Sequence, residues 1–241
     1  MKDVNLAIAM PTNFPMIYTD VFDAFMTLER PSYTWIHPNV GSIEDMRNQA
    51  VYVAQKYECT HLLMFDADMV LHPKTITKLL ENDLDICGAL CYQRYWPFNP
   101  VMFKVKTGNF NGKMSELHFD IITKFEENTI IELDAIGTGV FMVKMEVFEK
   151  LKQPYFEKIL KGVIDKNEYY FGEDISFCIK CKQVGLNIYM DSSIPCGHIS
   201  KHHIRTDDHK LASWINKQQS KIKQEVRKQQ SNINNFKLDK E

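Results

Sequence analysis

The chain has 241 residues, 44% hydrophobic and 12% aromatic, enough to bury the core of one sizeable α/β domain with an appendage. Its 29 basic residues stand against 31 acidic ones, and the formal net charge of −2 speaks against a nucleic-acid-binding protein, which shows a basic excess. No stretch reaches the roughly 18 apolar residues of a membrane helix, and six cysteines without a secretory signal point to reduced thiols in a cytoplasmic protein.

In chain order, the first half alternates strand and helix signals, the pattern of a parallel α/β sheet. "VNLAIAM" (4–10) is a short apolar strand stopped by Pro11, and with Asp3 and Asn5 about it the start reads as a strand, not a signal peptide. Residues 18–29 put Val21, Phe22, Phe25 and Leu28 at helical spacing. "YTWIHP" (33–38) predicts a second strand. "GSIEDMRNQAVYVAQKY" (41–57) predicts a helix capped by Ser42, with Asp45 three residues on in a variant capping box. "HLLMF" (61–65) is a third strand, Pro73 opens the next helix, and "DICGALCY" (85–92) is a fourth strand.

From 92 to 133 the chain becomes rich in aromatics, Asn and Gly and alternates by twos, which predicts antiparallel strands and loops. "AIGTGVFMVKMEVFEKL" (135–151) runs from a Gly-rich turn into a strand and a helix. "FGEDISFCIKCKQVG" (171–185) is a helix with acids in its first turn and Gly185 at its C-cap, and "LNIYMDSSIPCGHI" (186–199) is a last strand with a loop. There is no internal repeat. The order predicts one domain over 1–206 and a tail over 207–241. Eight Lys/Arg against five Asp/Glu make that tail mildly basic and leave the body acidic. Apolar residues at 211, 215, 222, 226 and 233 give the tail a narrow helical stripe. It is expected to pack back on the body, ahead of pairing with a second copy or touching an anionic membrane surface, and its Gln/Lys/Asn-rich end to fray.

Asp66 and Asp68 stand at the tip of the strand 61–65, beyond the carboxyl end where open α/β sheets bind ligands. Unpaired carboxylates beside a core are costly. In extended chain, residues i and i+2 point the same way, so the two acids would share a divalent cation. Hard oxygen ligands suit Mg²⁺ or Mn²⁺, which in turn would hold nucleotide phosphates. The plainer alternative is an Asp-x-Asp that caps the next helix or closes a turn. Glu173 and Asp174 fall in a first helical turn, where the macrodipole favours charged acids, and Asp174 suits a general base. His198 follows the last strand as a candidate third ligand, with Lys201, His202 and His203 placed to reach phosphate.

An apolar strand ending in Asp66-Ala67-Asp68, a Gly-Glu-Asp at a helix start and a C-terminal strand followed by His together resemble a GT-A-fold glycosyltransferase. "EDMRNQA" (44–50) resembles the family's nucleotide-side helix, and "GTGVFMVKMEVFEKL" (137–151) is similar to the segment after the acceptor region. The resemblance covers about residues 4–200 and leaves the tail out. It implies an α/β fold with a Rossmann-like nucleotide-binding half, a central mostly parallel sheet and a mixed acceptor-binding half. It implies Mn²⁺ or Mg²⁺ on Asp66, Asp68 and His198, bridging the diphosphate of a nucleotide sugar, UDP first. Pro11 and Thr12 would line the base and ribose; Arg47, Asn48, Ala67 and Lys201 would serve the nucleotide. Trp96, Gly137, Thr138, Gly139 and Glu173 would border the sugar and a hydroxyl acceptor, with Asp174 as the base and Glu173 catalytic beside it. The Glu-Asp pair resembles inverting members and the C-terminal His retaining ones; inversion is favoured.

Four other readings share parts of this pattern. A haloacid-dehalogenase-like phosphatase also carries Asp-x-Asp after an apolar strand, but on the first strand of its core. A sugar nucleotidyltransferase needs a basic, Gly-rich loop after the first strand, and "PTNFPMIYTD" offers none. Cys178, Cys181, Cys196 and His198 could form a zinc site, against buried thiols on a packed helix face. A carbohydrate-binding or scaffolding module without turnover would use the aromatics Tyr92, Tyr95, Trp96 and Phe98 but has no need of Asp66, Asp68 and Asp174 together.

Overall fold

The computed structural model describes residues 4–200 and 203–238, without the side chains of 203, 204, 222 and 224–238. The first half alternates as the apolar runs predict: β1 (Leu6–Ala9), α1 (Thr19–Met26), β2 (Tyr33–Ile36), α2 (Ile43–Lys56), β3 (His61–Phe65), β4 (Met69–Val70), α3 (Thr75–Glu81) and β5 (Ile86–Leu90). The middle holds β6 (Met102–Thr107), β7 (His118–Ile121), β8 (Ile130–Leu133), β9 (Ala135–Ile136), β10 (Val140–Lys144) and the short α4 (Glu146–Glu149). The last part holds β11 (Ile159–Ile164), β12 (Asn167–Phe171), α5 (Glu173–Gln183), β13 (Ile188–Pro195), β14 (Gly197–Ile199), β15 (His203–Ile204) and α6 (Thr206–Leu238).

The central sheet has seven strands in the order β2-β1-β3-β10-β5-β13-β8. β2, β1 and β3 are parallel, β10 is antiparallel to both its neighbours, β13 is parallel to β5, and β8 is antiparallel to β13. All but β10 and β8 therefore run one way, and β1, β3, β5 and β13 end at the same edge. The inner strands β1, β3, β10 and β5 are nearly all apolar because both their faces are covered. Ala7, Ala9, Leu62 and Met64 pack with Ala50 and Val51 of α2 and Phe177 of α5. Leu6, Ile8, Leu63 and Phe65 pack on the other face with Val21 of α1 and Ile76 and Leu79 of α3. The result is helices on both sides of one sheet.

Local signals set the helix that matters most for the site. The Ser42 hydroxyl accepts from Asp45 N–H at 3.2 Å, while Asp45 Oδ2 accepts from Ser42 N–H at 3.0 Å, so the capping box fixes the start of α2 and with it the direction of Arg47. In α1 the predicted stripe is narrower: Val21 is buried and the Phe25 ring stacks on Phe65, but Phe22, one step round the helix, is exposed. The β11–β12 hairpin carries no strong turn signal in the sequence. Its two-residue turn is Asp165–Lys166, both at positive φ (49° and 66°), where Asn-Gly is the usual signature. A small sheet of β4, β14 and β15 lies at the edge where β3 ends, and it pairs His198 with Met69.

Candidate functional site

The site forms where β1, β3, β5 and β13 end. After β3 the chain makes a turn in which Met69 N–H donates to the Asp66 carbonyl at 3.0 Å, and Asp66 N–H donates to the Gly139 carbonyl at 2.8 Å. That turn breaks the extended alternation on which the expected shared direction of Asp66 and Asp68 rests. Each carboxylate has its own basic partner. Asp66 Oδ1 meets Arg47 of α2 at 2.8 Å, and Asp68 Oδ2 meets Arg94 at 2.9 Å and His198 Nε2 at 3.5 Å. Of the three expected cation ligands, Asp68 and His198 face one another, while Asp66 is turned to an arginine; among the described residues no three His, Cys, Asp or Glu converge on one point.

His198 is held by its other nitrogen. Nδ1 lies 2.6 Å from the Tyr92 carbonyl, which can only accept, so Nδ1 carries the proton. That leaves Nε2 facing the Asp68 carboxylate, and an unprotonated Nε2 there would serve with Asp68 as a pair of ligands for a divalent cation. Backbone pairing sets the height of the ring: Ile199 N–H donates to the Asp68 carbonyl at 2.8 Å.

Arg47 is the fixed charge of the site. It is 2% exposed, its guanidinium lies 5.9 Å from the Phe141 and Phe156 rings, and it reaches Glu173 at 3.8 Å as well as Asp66. Its Nε and Nη1, and the Thr138 hydroxyl, are buried without a hydrogen-bond partner. Orphaned buried polar atoms are rare in folded proteins, so these groups mark a polar spot whose donors the protein only partly satisfies. Burial pushes the Asp66 carboxyl up to about 6, against the opposing pull of Arg47. Burial also acts to raise Asp68, but His198 and Arg94 outweigh it and hold that carboxyl below the usual range. Asp174 is raised by burial and by neighbouring Glu173.

The other expected residues fall as follows. Pro11 is buried and Thr12 half-buried on the loop beyond β1, with Thr12 N–H on the Pro38 carbonyl at 3.1 Å. Ala67 is the half-buried middle of the Asp66–Asp68 turn. Gly137 sits against Val101, where a Cβ would come within 2.8 Å, and Gly139 lies beside Met69 and Cys91. Trp96 is 51% exposed on the loop after β5, edge-on to Phe98. Glu173 and Asp174 open α5 behind Gly172. Lys201 and His202 lie outside the described residues, and of His203 only the backbone, in β15, is described.

Asn48 requires a correction. Its Oδ1 accepts from Tyr155 and Phe156 N–H at 2.9 and 3.1 Å, and its Nδ2 donates to the Glu44 and Phe156 carbonyls at 2.9 and 2.8 Å. Main chain takes up the whole amide, so Asn48 clamps residues 155–156 to α2 and has no group left for a nucleotide. The zinc alternative fails on geometry: Cys178 and Cys181 sit in the core on one face of the sheet and Cys196 in the core on the other, all buried. Two residues escaped the sequence reading in these roles. Arg94 and Tyr92 act through contacts 26 and 106 positions away, which leave no local pattern.

Comparison with solved structures finds the same architecture. A197 from STIV superposes with a TM-score of 0.56 at 15% identity, over 82% of this chain and 86% of that one. GalNAc-T7, crystallised with UDP, GalNAc and Mn²⁺, superposes with a TM-score of 0.52 at 12% identity, over 83% of this chain. The match spans 45% of the GalNAc-T7 chain. No protein-family model and no curated protein matches the sequence. The mixed α/β architecture with its large, mostly parallel central sheet, and its likeness to these structures, give the chain the GT-A glycosyltransferase fold.

Proposed function

We propose that the chain is a metal-dependent glycosyltransferase that moves a sugar from a nucleoside diphosphate, UDP first, to a hydroxyl acceptor with inversion. The observation that carries this reading is the facing pair of Asp68 Oδ2 and His198 Nε2, 3.5 Å apart at the carboxyl edge of the sheet. Asp68 and His198 would hold Mn²⁺ or Mg²⁺, with Asp66 beside them. Such a cation offsets the charge that grows on a departing diphosphate. The presence of UDP, GalNAc and Mn²⁺ in GalNAc-T7 supports the choice of donor and metal. Arg47 favours the ionised form of Asp66 against burial and holds the side chain in place. Pro11 and Thr12 would line the nucleoside, Trp96 and Gly137 to Gly139 the sugar and acceptor. Asp174 would take the proton from the acceptor hydroxyl.

The test is a thermal-shift and calorimetric screen of nucleoside diphosphates with and without Mn²⁺, on the wild type and on Asp68→Asn. Wild-type protein should be stabilised by UDP only when Mn²⁺ is present, since a ligand that binds the folded state alone raises the melting temperature. Asp68→Asn should lose that stabilisation. UDP affinity that ignores both EDTA and the substitution would sink the reading.

A further inference from the structure

We propose that Arg94 is an exchangeable counter-cation: it holds Asp68 when no metal is bound and pairs with the diphosphate when metal and nucleotide arrive. This rests on the nucleotide-sugar reading above. Three facts carry it. First, Arg94 Nη1 and His198 Nε2 address the same oxygen, Asp68 Oδ2, at 2.9 and 3.5 Å. A cation held between Asp68 and His198 would draw on the charge of that carboxylate edge, and a guanidinium in hydrogen-bond contact with it would repel the metal at close range. Metal binding and the Arg94–Asp68 pair therefore compete.

Second, the two arginines of the site differ in freedom. Arg47 is walled in by Phe141 and Phe156, and moving it would leave a buried charge without a partner. The Arg94 side chain is 46% exposed, so its guanidinium leaves Asp68 for water or phosphate without stranding itself.

Third, the backbone that carries Arg94 is anchored, so that exchange is a motion of the side chain. Tyr92 pairs with Pro100, Gln93 N–H donates to the Asn99 carbonyl at 2.8 Å and Phe98 N–H to the Tyr95 carbonyl at 2.7 Å. The Tyr92 carbonyl accepts from His198, and the Phe98 carbonyl lies 2.7 Å from His209 Nδ1 of α6. Held there, a released guanidinium stays beside the metal position, and its planar fork matches phosphate oxygens in two-point hydrogen bonding. Arg94 thus lowers affinity for metal alone and raises affinity for diphosphate, so metal and nucleotide bind cooperatively.

The experiment is calorimetric titration of the full chain with Mn²⁺ alone, then with UDP or uridine at saturating Mn²⁺, for wild type, Arg94→Met and Arg94→Lys. Arg94→Met should bind Mn²⁺ about 3-fold tighter, the worth of a half-exposed charge pair. The same variant should bind UDP about 10-fold more weakly, with uridine unchanged. Arg94→Lys keeps the charge and should restore wild-type Mn²⁺ affinity while recovering only part of the UDP affinity. Shifts of opposite sign mark exchange; a structural loss would weaken both ligands together. Wild-type binding of Mn²⁺ and UDP, with Arg94→Met equal to it or weaker in both, overturns the role of Arg94 and leaves the nucleotide reading standing. A wild-type chain that takes up neither overturns both.

Discussion

At the scale of single residues, two adjacent acids meet different neighbours. Glu173 lies 3.8 Å from Arg47, inside the charge cluster that holds Asp66. Asp174 accepts from Ile175 N–H at 2.7 Å through Oδ1, which leaves Oδ2 for another partner, and a Cβ on Gly172 would come within 2.9 Å of that Oδ1. Burial and Glu173 raise the Asp174 carboxyl, which makes it a stronger base once ionised. Asp174→Asn should therefore keep Mn²⁺-dependent UDP binding and lower transfer by about 100-fold or more, the usual worth of a positioned base. Glu173→Gln should weaken nucleotide binding through Arg47. Transfer by Asp174→Asn within a few-fold of wild type would remove Asp174 from the role. The acids were readable from sequence because strand tips and helix starts have local signatures. Asn48 misled because it follows Arg47 directly, yet one step along a helix turns the side chain by about 100°, away from the sheet edge and onto the 155–156 backbone.

At the scale of elements, the first turn of α6 joins the tail to the site. His209 is buried, stacks on Tyr92 at 5.0 Å between ring centroids and donates through Nδ1 to the Phe98 carbonyl. Burial holds its imidazole below the ordinary value. The folded chain therefore resists protonation there while the unfolded chain accepts a proton near pH 6.5. Below about that pH the unfolded state binds more protons, so stability should fall as the pH drops toward 5 and be fully present above 7. His61 and His72, also depressed by burial, share the effect. His209→Gln keeps a donor for the Phe98 carbonyl and cannot titrate, so its melting temperature should fall less between pH 7.5 and 5 than that of wild type. Equal falls would show that His209 contributes nothing to the pH dependence. Such a link between α6 and the loop after β5 has no sequence signal, since the two lie 111 positions apart. The strands and helices of the sheet itself were legible, because apolar runs bounded by Pro, Gly and caps dictate them locally.

At the scale of the molecule, the sheet and its two helical layers form one cooperative body, and the question is how far along α6 that body extends. A helix of this length in water depends on tertiary burial of one face. Among the described side chains of α6 only His209 and Ala212 are buried, and Tyr92 OH reaches the Thr206 hydroxyl at 3.4 Å. From Lys217 to Lys223 the described side chains are exposed, apart from half-buried Gln218. The body therefore ends within the first three turns. Truncation after Ser220 should leave the melting temperature and UDP binding unchanged. Truncation before Thr206 exposes the Tyr92 ring and removes the His209 hydrogen bond, and should destabilise by about 2–3 kcal/mol, a drop of roughly 4–12 °C for a chain of this size. It should also weaken UDP binding, because Tyr92 and Phe98 set the positions of His198 and Arg94. If the chain ending before Thr206 melts as wild type does and binds UDP equally well, α6 is an appendage with no part in holding the site. If the chain ending at Ser220 already loses stability, the body reaches further along the helix than its buried residues indicate.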